Sequence, residues 1–533
     1  MIKRWPRVGT FVAEEEGNIT VFSVFMLVLI IATTGASVDI MRFEAVRAKM
    51  QSTMDRAVLA AANLEQEQDP VAVVNDYMTK AGLGNALNTV SVDEGLNYRT
   101  VSADGSVELS TIFLHMSGFD TLTTPARSTA EEKISNVEVS LVLDVSGSMG
   151  GSRIENMRNA AREFVETVIQ PEGSPGLTSV SLVPYSAVVN VGETLAPYFN
   201  FDEAHDYSHC AAFKASDFQS AAFDGSATLE RIGHFDPWSS DQSSTQIASP
   251  WCPTGDTSAI MVHSADVGDL TARIDSLTAG GNTAIDLGMK WGVSMLDPSF
   301  GPIVGQMASD GLVSGQVATR PAQHNDPEAI KFVVVMTDGE NTSQFDLKPG
   351  VKDGMSDLWV DDRGNGNPND DRFSLRVRDL SGTANDVYFW KRYETSSFSS
   401  RYRNTPDGGS NARRMTYAEV YARWGTAAFA QSFYVRPYYD NFVSYNQYYD
   451  VYYAYQQTVS GSQGDQRLSD ICEAARNQGI VIFAIAFEAP AGGQQALQDC
   501  ASSPSHYFDV EGVEITETFH AIARQINSLR LVQ

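Results

Sequence analysis

Asp144, Ser146 and Ser148 stand in an Asp-x-Ser-x-Ser run directly after the apolar stretch Val137-Glu138-Val139-Ser140-Leu141-Val142-Leu143. A carboxylate and two hydroxyls at this spacing are hard oxygen donors, the set that suits Mg²⁺ with some of its waters retained. The competing reading is a polar turn whose serines cap the helix that follows. Two later stretches enlarge the donor set. Gly280-Gly281-Asn282-Thr283-Ala284-Ile285 is a glycine loop that offers one threonine hydroxyl ahead of a helix pattern. Lys331-Phe332-Val333-Val334-Val335-Met336-Thr337-Asp338-Gly339 is a second β-branched run, ending in an aspartate and a turn glycine. Asp144, Ser146, Ser148, Thr283 and Asp338 are therefore the candidate metal ligands. Nothing similar assembles for catalysis. No G-x-S-x-G elbow surrounds Ser146 or Ser148. Neither H-E-x-x-H nor G-x-x-x-x-G-K-[ST] occurs. Binding without turnover is the expectation, with a metal-dependent hydrolase or a purely structural scaffold as the alternatives.

Donors on three separate loops need strands that end at one edge. The runs at 137–143 and 331–337 read as buried parallel strands, short and β-branched. Val180-Ser181-Leu182-Val183 and Gly479-Ile480-Val481-Ile482-Phe483-Ala484-Ile485-Ala486-Phe487 supply two more, and His506-Tyr507-Phe508-Asp509 an edge strand. Ile154, Met157, Ala161, Phe164, Val165 and Val168 recur at helical spacing, as do Ile515, Phe519, Ile522, Ile526 and Leu529. Leu270 to Leu277 reads as a short helix leading to the Thr283 loop. The carboxyl edge of such a sheet is where open α/β folds bind ligands.

This combination, in this order, resembles the von Willebrand factor A domain and its metal-ion-dependent adhesion site. The resemblance implies an α/β fold with a doubly wound, mostly parallel sheet over 136–533. It places Asp144, Ser146, Ser148, Thr283 and Asp338 at the metal positions. The implied ion is Mg²⁺, with Mn²⁺ or Ca²⁺ as substitutes, and one coordination position stays open for an acidic residue of a protein partner. An A-domain subunit of an ATP-driven chelatase ranks last, because the phosphate-binding loop is missing.

The 533 residues exceed one ordinary domain, and 43% hydrophobic with 20% charged content can bury a sizeable core. A net charge of −28 argues against a nucleic-acid partner, which calls for a basic face. Cys210, Cys252, Cys472 and Cys500 show no C-x-x-C spacing, which speaks against zinc or thioredoxin-like chemistry. Outside the cytoplasm they would form disulfides. Each of the pairs Cys210–Cys252 and Cys472–Cys500 brackets one local segment and is the expected pairing, with four buried free thiols as the alternative.

Ile19 to Val38 is almost wholly apolar and as a helix spans roughly 30 Å, the hydrocarbon thickness of a bilayer. Lys3, Arg4 and Arg7 precede it, Glu14, Glu15 and Glu16 intervene, and Arg42, Arg47 and Lys49 follow. Positive-inside counting is therefore indecisive. A large acidic domain with disulfides favours the outside, and the expectation is a single-pass inner (cell) membrane protein with its bulk extracytoplasmic, in the periplasm. A signal peptide cut near Ala36 is the alternative. Gly17 has the look of a prepilin leader, but Phe22 stands where such leaders carry glutamate. Val46, Met50, Met54, Ala57, Val58 and Ala61 continue the helix as a stalk. The segment from Gly17-Asn18-Ile19 through Asp55-Arg56-Ala57-Val58-Leu59-Ala60-Ala61-Ala62 resembles the start of TadG-like Flp pilus-assembly proteins. That implies a pilus or envelope component as the partner.

The expected organisation is an anchor and stalk over 1–64, a small β-rich connector over 65–135 and the α/β domain over 136–533, with an insertion at about 345–464. In the connector Val107 to Leu114 reads as a strand, with Asp104-Gly105 as the turn before it. The stretch from Asn190 to Ala265, holding Cys210 and Cys252, reads as a loop-rich elaboration of the domain. In the insertion, Asp361 to Asp371 has a calcium-loop look, but Arg372 holds the twelfth position where an EF-hand needs glutamate. A solvated turn is the plainer reading. Tyr434, Tyr438, Tyr439, Tyr445, Tyr448, Tyr449, Tyr452, Tyr453 and Tyr455 crowd one segment, either as a recognition surface or as a self-packed aromatic core.

Overall fold

The structure is a computed structural model and describes residues 16–63, 66, 68–94, 98–134, 136–169, 176–326, 328–378 and 386–532. Lys3, Arg4, Arg7, Glu14 and Glu15, which bear on orientation, lie outside the described residues. The chain divides into two compact units, Met1–Ile134 with Leu531–Gln533, and Ser135–Arg530.

The smaller unit is built on α1 (Glu16–Ala62). Its first half is one long apolar helical stretch with Ile19, Phe22, Phe25, Leu27 and Ile30 exposed, long and apolar enough to cross a membrane. Its second half buries Met50, Met54, Ala57, Val58, Ala61 and Ala62 on one stripe, at the spacing the sequence shows. Helix α2 (Pro70–Lys80) starts with proline in its first turn, where the missing N–H costs nothing, and Asp69 caps it by accepting from Ala72 N at 3.1 Å. Strands β1 (Leu87–Glu94), β2 (Tyr98–Ser110) and β3 (Thr121–Ile134) form an antiparallel sheet, joined at its edge by Leu531–Val532. Val73, Val74 and Met78 of α2 and Val101, Ala103, Ala126 and Ala130 of the sheet cover the α1 stripe.

Asp104-Gly105 is not a turn here. It lies inside β2, opposite a register irregularity between Leu87 and Thr89. The Ala86 carbonyl comes so close to Gly105 that a Cβ would not fit. The glycine serves a bulge and close backbone approach rather than a reversal. Strand β2 then stops at Ser110, and Leu114–Ser117 forms a 3₁₀ turn.

That loop is fastened to α1. Asp39 is buried, and its Oδ2 accepts from Phe113 N at 2.7 Å and Leu114 N at 2.9 Å, while Oδ1 accepts from Ile112 N at 3.0 Å. Arg42 Nη1 lies 3.5 Å from Asp39 Oδ1. The Phe113 ring fills the space where Gly35 lacks a side chain.

The larger unit is organised on a six-stranded sheet. Its members are β4 (Asn136–Asp144), β5 (Thr178–Tyr185), β6 (Met261–Ser264), β7 (Ala329–Thr337), β8 (Val481–Phe487) and β9 (Tyr507–Val510). Their spatial order is β9-β8-β7-β4-β5-β6. All neighbours are parallel except β6, which runs antiparallel to β5. Both faces are covered, which explains the unbroken apolar runs. Val139, Leu141 and Leu143 with Phe332, Val334 and Met336 pack under α3 (Ser152–Val168) and the C-terminal helix Glu514–Arg530. The alternate residues Val142, Val333 and Val335 face the other core, with α4 (Ile285–Ser294). Helix α4 sits close because Gly288 and Gly292 carry no Cβ where Tyr185 and Val142 press in.

The insertion leaves and returns at one place, since Gln344–Leu347 pairs antiparallel with Tyr455–Val459. Between them lies a five-stranded antiparallel sheet and a set of short helices. In the loop between Met355–Asp361 and Arg372–Arg378, Asp361, Asp362, Asn365 and Asn367 accept hydrogen bonds from N–H groups two residues on. These are Asx turns of a solvated hairpin loop. Tyr438, Tyr439, Tyr445, Tyr449 and Tyr453 are exposed, with rings 5.6 Å apart for Tyr445–Tyr449 and 4.7 Å for Tyr449–Tyr453. Tyr434, Tyr448 and Tyr455 instead pack against the core. The segment is part surface and part core.

Disulfides join Cys210 to Cys252 and Cys472 to Cys500, and no cysteine is free. With a sequence separation of 42 between Cys210 and Cys252, chain-entropy arguments assign that bond about 4 kcal/mol of stabilisation. The double variant Cys210→Ser/Cys252→Ser is expected to lose about 2–4 kcal/mol in denaturant unfolding followed by intrinsic fluorescence. Gly292→Ala forces a methyl onto Val142 and is expected to cost about 1–3 kcal/mol in the same measurement.

Candidate metal and adhesion site

The site grows from the register of two neighbouring strands. Leu143 of β4 pairs with Met336 of β7, so the next residues, Asp144 and Thr337, emerge side by side at the carboxyl edge. Thr337 Oγ1 donates to Asp144 Oδ2 at 2.5 Å, and Ser146 N donates to Oδ1 at 2.7 Å. The turn after β4 is held to the glycine loop by Gly280 N donating to Val145 O at 2.8 Å and Gly147 N to Gly281 O at 2.9 Å. Gly281 has φ +83°, a conformation that disfavours any side chain there.

Ser146 Oγ and Ser148 Oγ are 2.9 Å apart, and Ser148 Oγ donates to Asp338 Oδ1 at 2.6 Å. The structure thus links Asp144, Ser146, Ser148 and Asp338 through one hydrogen-bonded turn. Thr283 joins by position, not by a bond. A Cβ on Gly339 would lie 3.2 Å from Thr283 Oγ1 and 3.8 Å from Ser148 Oγ, so the threonine hydroxyl borders the same crest. Its backbone is pinned by Thr342 N donating to Thr283 O at 2.9 Å.

Three participants are not among the sequence candidates. Thr337 holds Asp144. Arg153, in the first turn of α3, donates from Nη1 to Asp338 Oδ2 at 2.8 Å and from Nε to Glu488 Oε2 at 2.7 Å. Glu488 follows β8 at the same sheet edge with φ +53°. The available signal was position: Thr337 and Glu488 are polar residues at the carboxyl ends of apolar strands, like Asp144 and Asp338.

Burial pushes the Asp144 carboxyl up to about 6; the hydrogen bonds from Thr337 and Ser146 pull it back down, and the nearby Asp338 charge adds to the rise. The hydrogen bond from Arg153 holds Glu488 below the usual carboxylate range. Among the described residues no group of three or more His, Cys, Asp or Glu gathers as a metal centre. A cation here would rest on two carboxylates and hydroxyls. Hard oxygens of this kind are the donor type that suits Mg²⁺. The chemistry of the donor set fits that ion.

Residues 17–64 match the family model Tad, described as Flp pilus-assembly TadE/G-like. No curated protein matches the chain. Among solved structures, the vWF domain of the type V pili tip protein Mfa5 from Porphyromonas gingivalis is similar at 13% identity and TM-score 0.34, covering 75% of this chain and 98% of that one. The adhesive tip pilin GBS104 from Group B Streptococcus agalactiae is similar at 12% identity and TM-score 0.31, covering 73% and 100%. The pilus adhesin SpaC from Lactobacillus rhamnosus GG gives 11% and 0.31, with 83% of this chain and 34% of that one. These likenesses are loose.

The Asp144 shift has a consequence for stability. Its folded value of about 6 lies above the ordinary 3.8, so the metal-free protein gains stability from Asp144 that is full below pH 3.8 and lost as pH rises through 6. The loss is about 3 kcal/mol. Asp144→Asn is expected to remove this part of the decline in denaturant unfolding at pH 4, 5 and 7, leaving the part due to Asp286, which burial also pushes up to about 6.

Proposed function

We propose that this chain is a membrane-anchored, metal-dependent protein-binding subunit of a pilus-assembly or cell-surface adhesion system. In this reading the larger unit is a doubly wound von Willebrand factor A-like domain. Asp144, Ser146, Ser148, Thr283 and Asp338 hold Mg²⁺, with Mn²⁺ or Ca²⁺ able to substitute. The observation that carries it is the convergence of two carboxylates and two hydroxyls from adjacent parallel strands into one hydrogen-bonded turn. Charge supports it as well. Asp144, Asp338 and Glu488 against Arg153 leave two negative charges when all are ionised, which one divalent cation neutralises.

When bound, the ion supplies an electrophilic point for a carboxylate of a protein partner, without bond making or breaking. The protein's own residues do the rest. Thr337 and Ser146 N orient Asp144, Ser148 orients Asp338, and Arg153 fixes Asp338 from the solvent side. The pilus or envelope setting rests on the Tad-type segment at 17–64. An anchored chain with its bulk in the periplasm agrees with the exposed apolar half of α1 and with the two disulfides.

One observation favours a metal-free scaffold instead: Arg153 already neutralises part of Asp338. Calorimetric titration with Mg²⁺ or Mn²⁺ decides between the two. The full chain in detergent is expected to bind one ion per molecule, with binding weakened at least about tenfold by Asp144→Ala, since a lost metal-orienting residue typically costs 10–100-fold. Saturable binding that survives in Asp144→Ala removes the site assignment, and no binding in either leaves the scaffold. In a second test, affinity is expected to fall below about pH 6 as protons compete at Asp144.

A further inference from the structure

The exposed apolar surface of the smaller unit does not end with the helix. Val38, Ile40 and Met41 of α1 are exposed just past the apolar run, at 39%, 53% and 70%. Beside them, the loop between β2 and β3 exposes Ile112 at 50%, Met116 at 73% and Phe119 at 60%. A ten-residue loop that turns three large apolar side chains to the outside gains nothing from burial within its own unit.

Its level along α1 is set by Asp39. The carboxylate takes N–H groups of Ile112, Phe113 and Leu114, and Phe113 lies on Gly35. Positions 35 to 39 span about 6 Å of helix. They stand where the apolar run meets its first charged residue, which is where a hydrocarbon core gives way to headgroups some 5–7 Å deep. The clamp also solves the problem of a carboxylate at that depth, because three donors and Arg42 satisfy it. The loop is itself braced, with Thr111 N donating to Asp120 O at 3.0 Å and Thr111 Oγ1 to Phe119 O at 2.6 Å.

We propose that Ile112, Met116 and Phe119, with Val38, Ile40 and Met41, form a collar that inserts into the headgroup–acyl boundary of the bilayer around the emerging helix. The occupant is lipid, because the collar is continuous with the apolar face of α1 and is fixed at the end of that face. The inference rests on the anchored reading of α1. It adds that the smaller unit sits on the membrane surface instead of standing off it.

The test uses the full chain in vesicles of phosphatidylcholine and phosphatidylglycerol, with one environment-sensitive fluorophore on an introduced cysteine. Met116→Cys and Phe119→Cys report the collar, Val28→Cys the apolar run, and Asn88→Cys on the exposed side of β1 serves as the aqueous control. Lipids brominated near the carbonyl end are expected to quench the probes at 116 and 119 at least about twofold more than lipids brominated near the chain end, as for side chains buried 5–10 Å. The probe at 28 should show the reverse preference and the probe at 88 no quenching. Unquenched probes at 116 and 119 beside a deeply quenched probe at 28 overturn the collar and leave the anchor standing. Spectral shifts at 116 and 119 that grow with protein density and ignore the brominated lipids assign the surface to a second copy, which also overturns it. An unquenched probe at 28 removes the anchor, and the collar with it.

Discussion

The parallel pairing of β4 with β7 is the constraint on which the site depends. Both strands are buried on both faces, and their side chains alternate between two cores, so a slip by one residue would turn every side chain into the wrong one. With Leu143 against Met336 there is one outcome at the edge. Asp144 meets Thr337, and Asp338 follows one residue later on the same crest. The placement of Asp144 and Asp338 is thus a by-product of core packing, and the glycine loop at 280–283 is fastened to the turn after β4 by two backbone hydrogen bonds.

The same strands handle charge differently at their two ends. Near the amino edge, buried Glu138 is answered by Arg320 Nη1 at 3.1 Å and by Lys331 Nζ at 3.7 Å. At the carboxyl edge, buried Asp144 accepts from a hydroxyl and a backbone amide, and the Asp338 charge that acts on it is of its own sign. Arg153 reaches Asp338 but is shared with Glu488. The sheet thus pairs buried charge at one end with opposite charge and leaves two carboxylates of like sign at the other.

Much of this was legible in the sequence. The runs at 137–143 and 331–337 are apolar because both faces are covered, and the residues just after them carry the donors. Cysteine pairing followed from locality, and helical spacing from Met50 to Ala61 marks the face that packs. What stayed hidden depends on distance in the chain. Thr337 matters through a partner 193 residues away, and Arg153 through one 335 residues away. Arg153 has no local pattern, and Thr337 has only its place at the end of an apolar strand. Asp104-Gly105 misleads for the opposite reason: a strong local turn signal is overruled by a bulge that only the neighbouring strand requires. The tyrosine segment resists a single reading because some members pack on the core and others face solvent.

Helix α1 carries its exposed apolar half and its buried half on one unbroken stretch, with no proline between them. The two halves are therefore locked in phase as well as in distance. Each residue added between Val38 and Met50 would turn one half against the other by about 100°, while seven would nearly restore the original facing. Length variation in this stretch is thus constrained twice, by the helical repeat that sets the facing and by the Asp39 clamp that sets the height of α1 against the sheet. The helix is held at two levels, by the clamp on Asp39 and by the packed stripe around Met54 and Val58, and its continuity ties the two together.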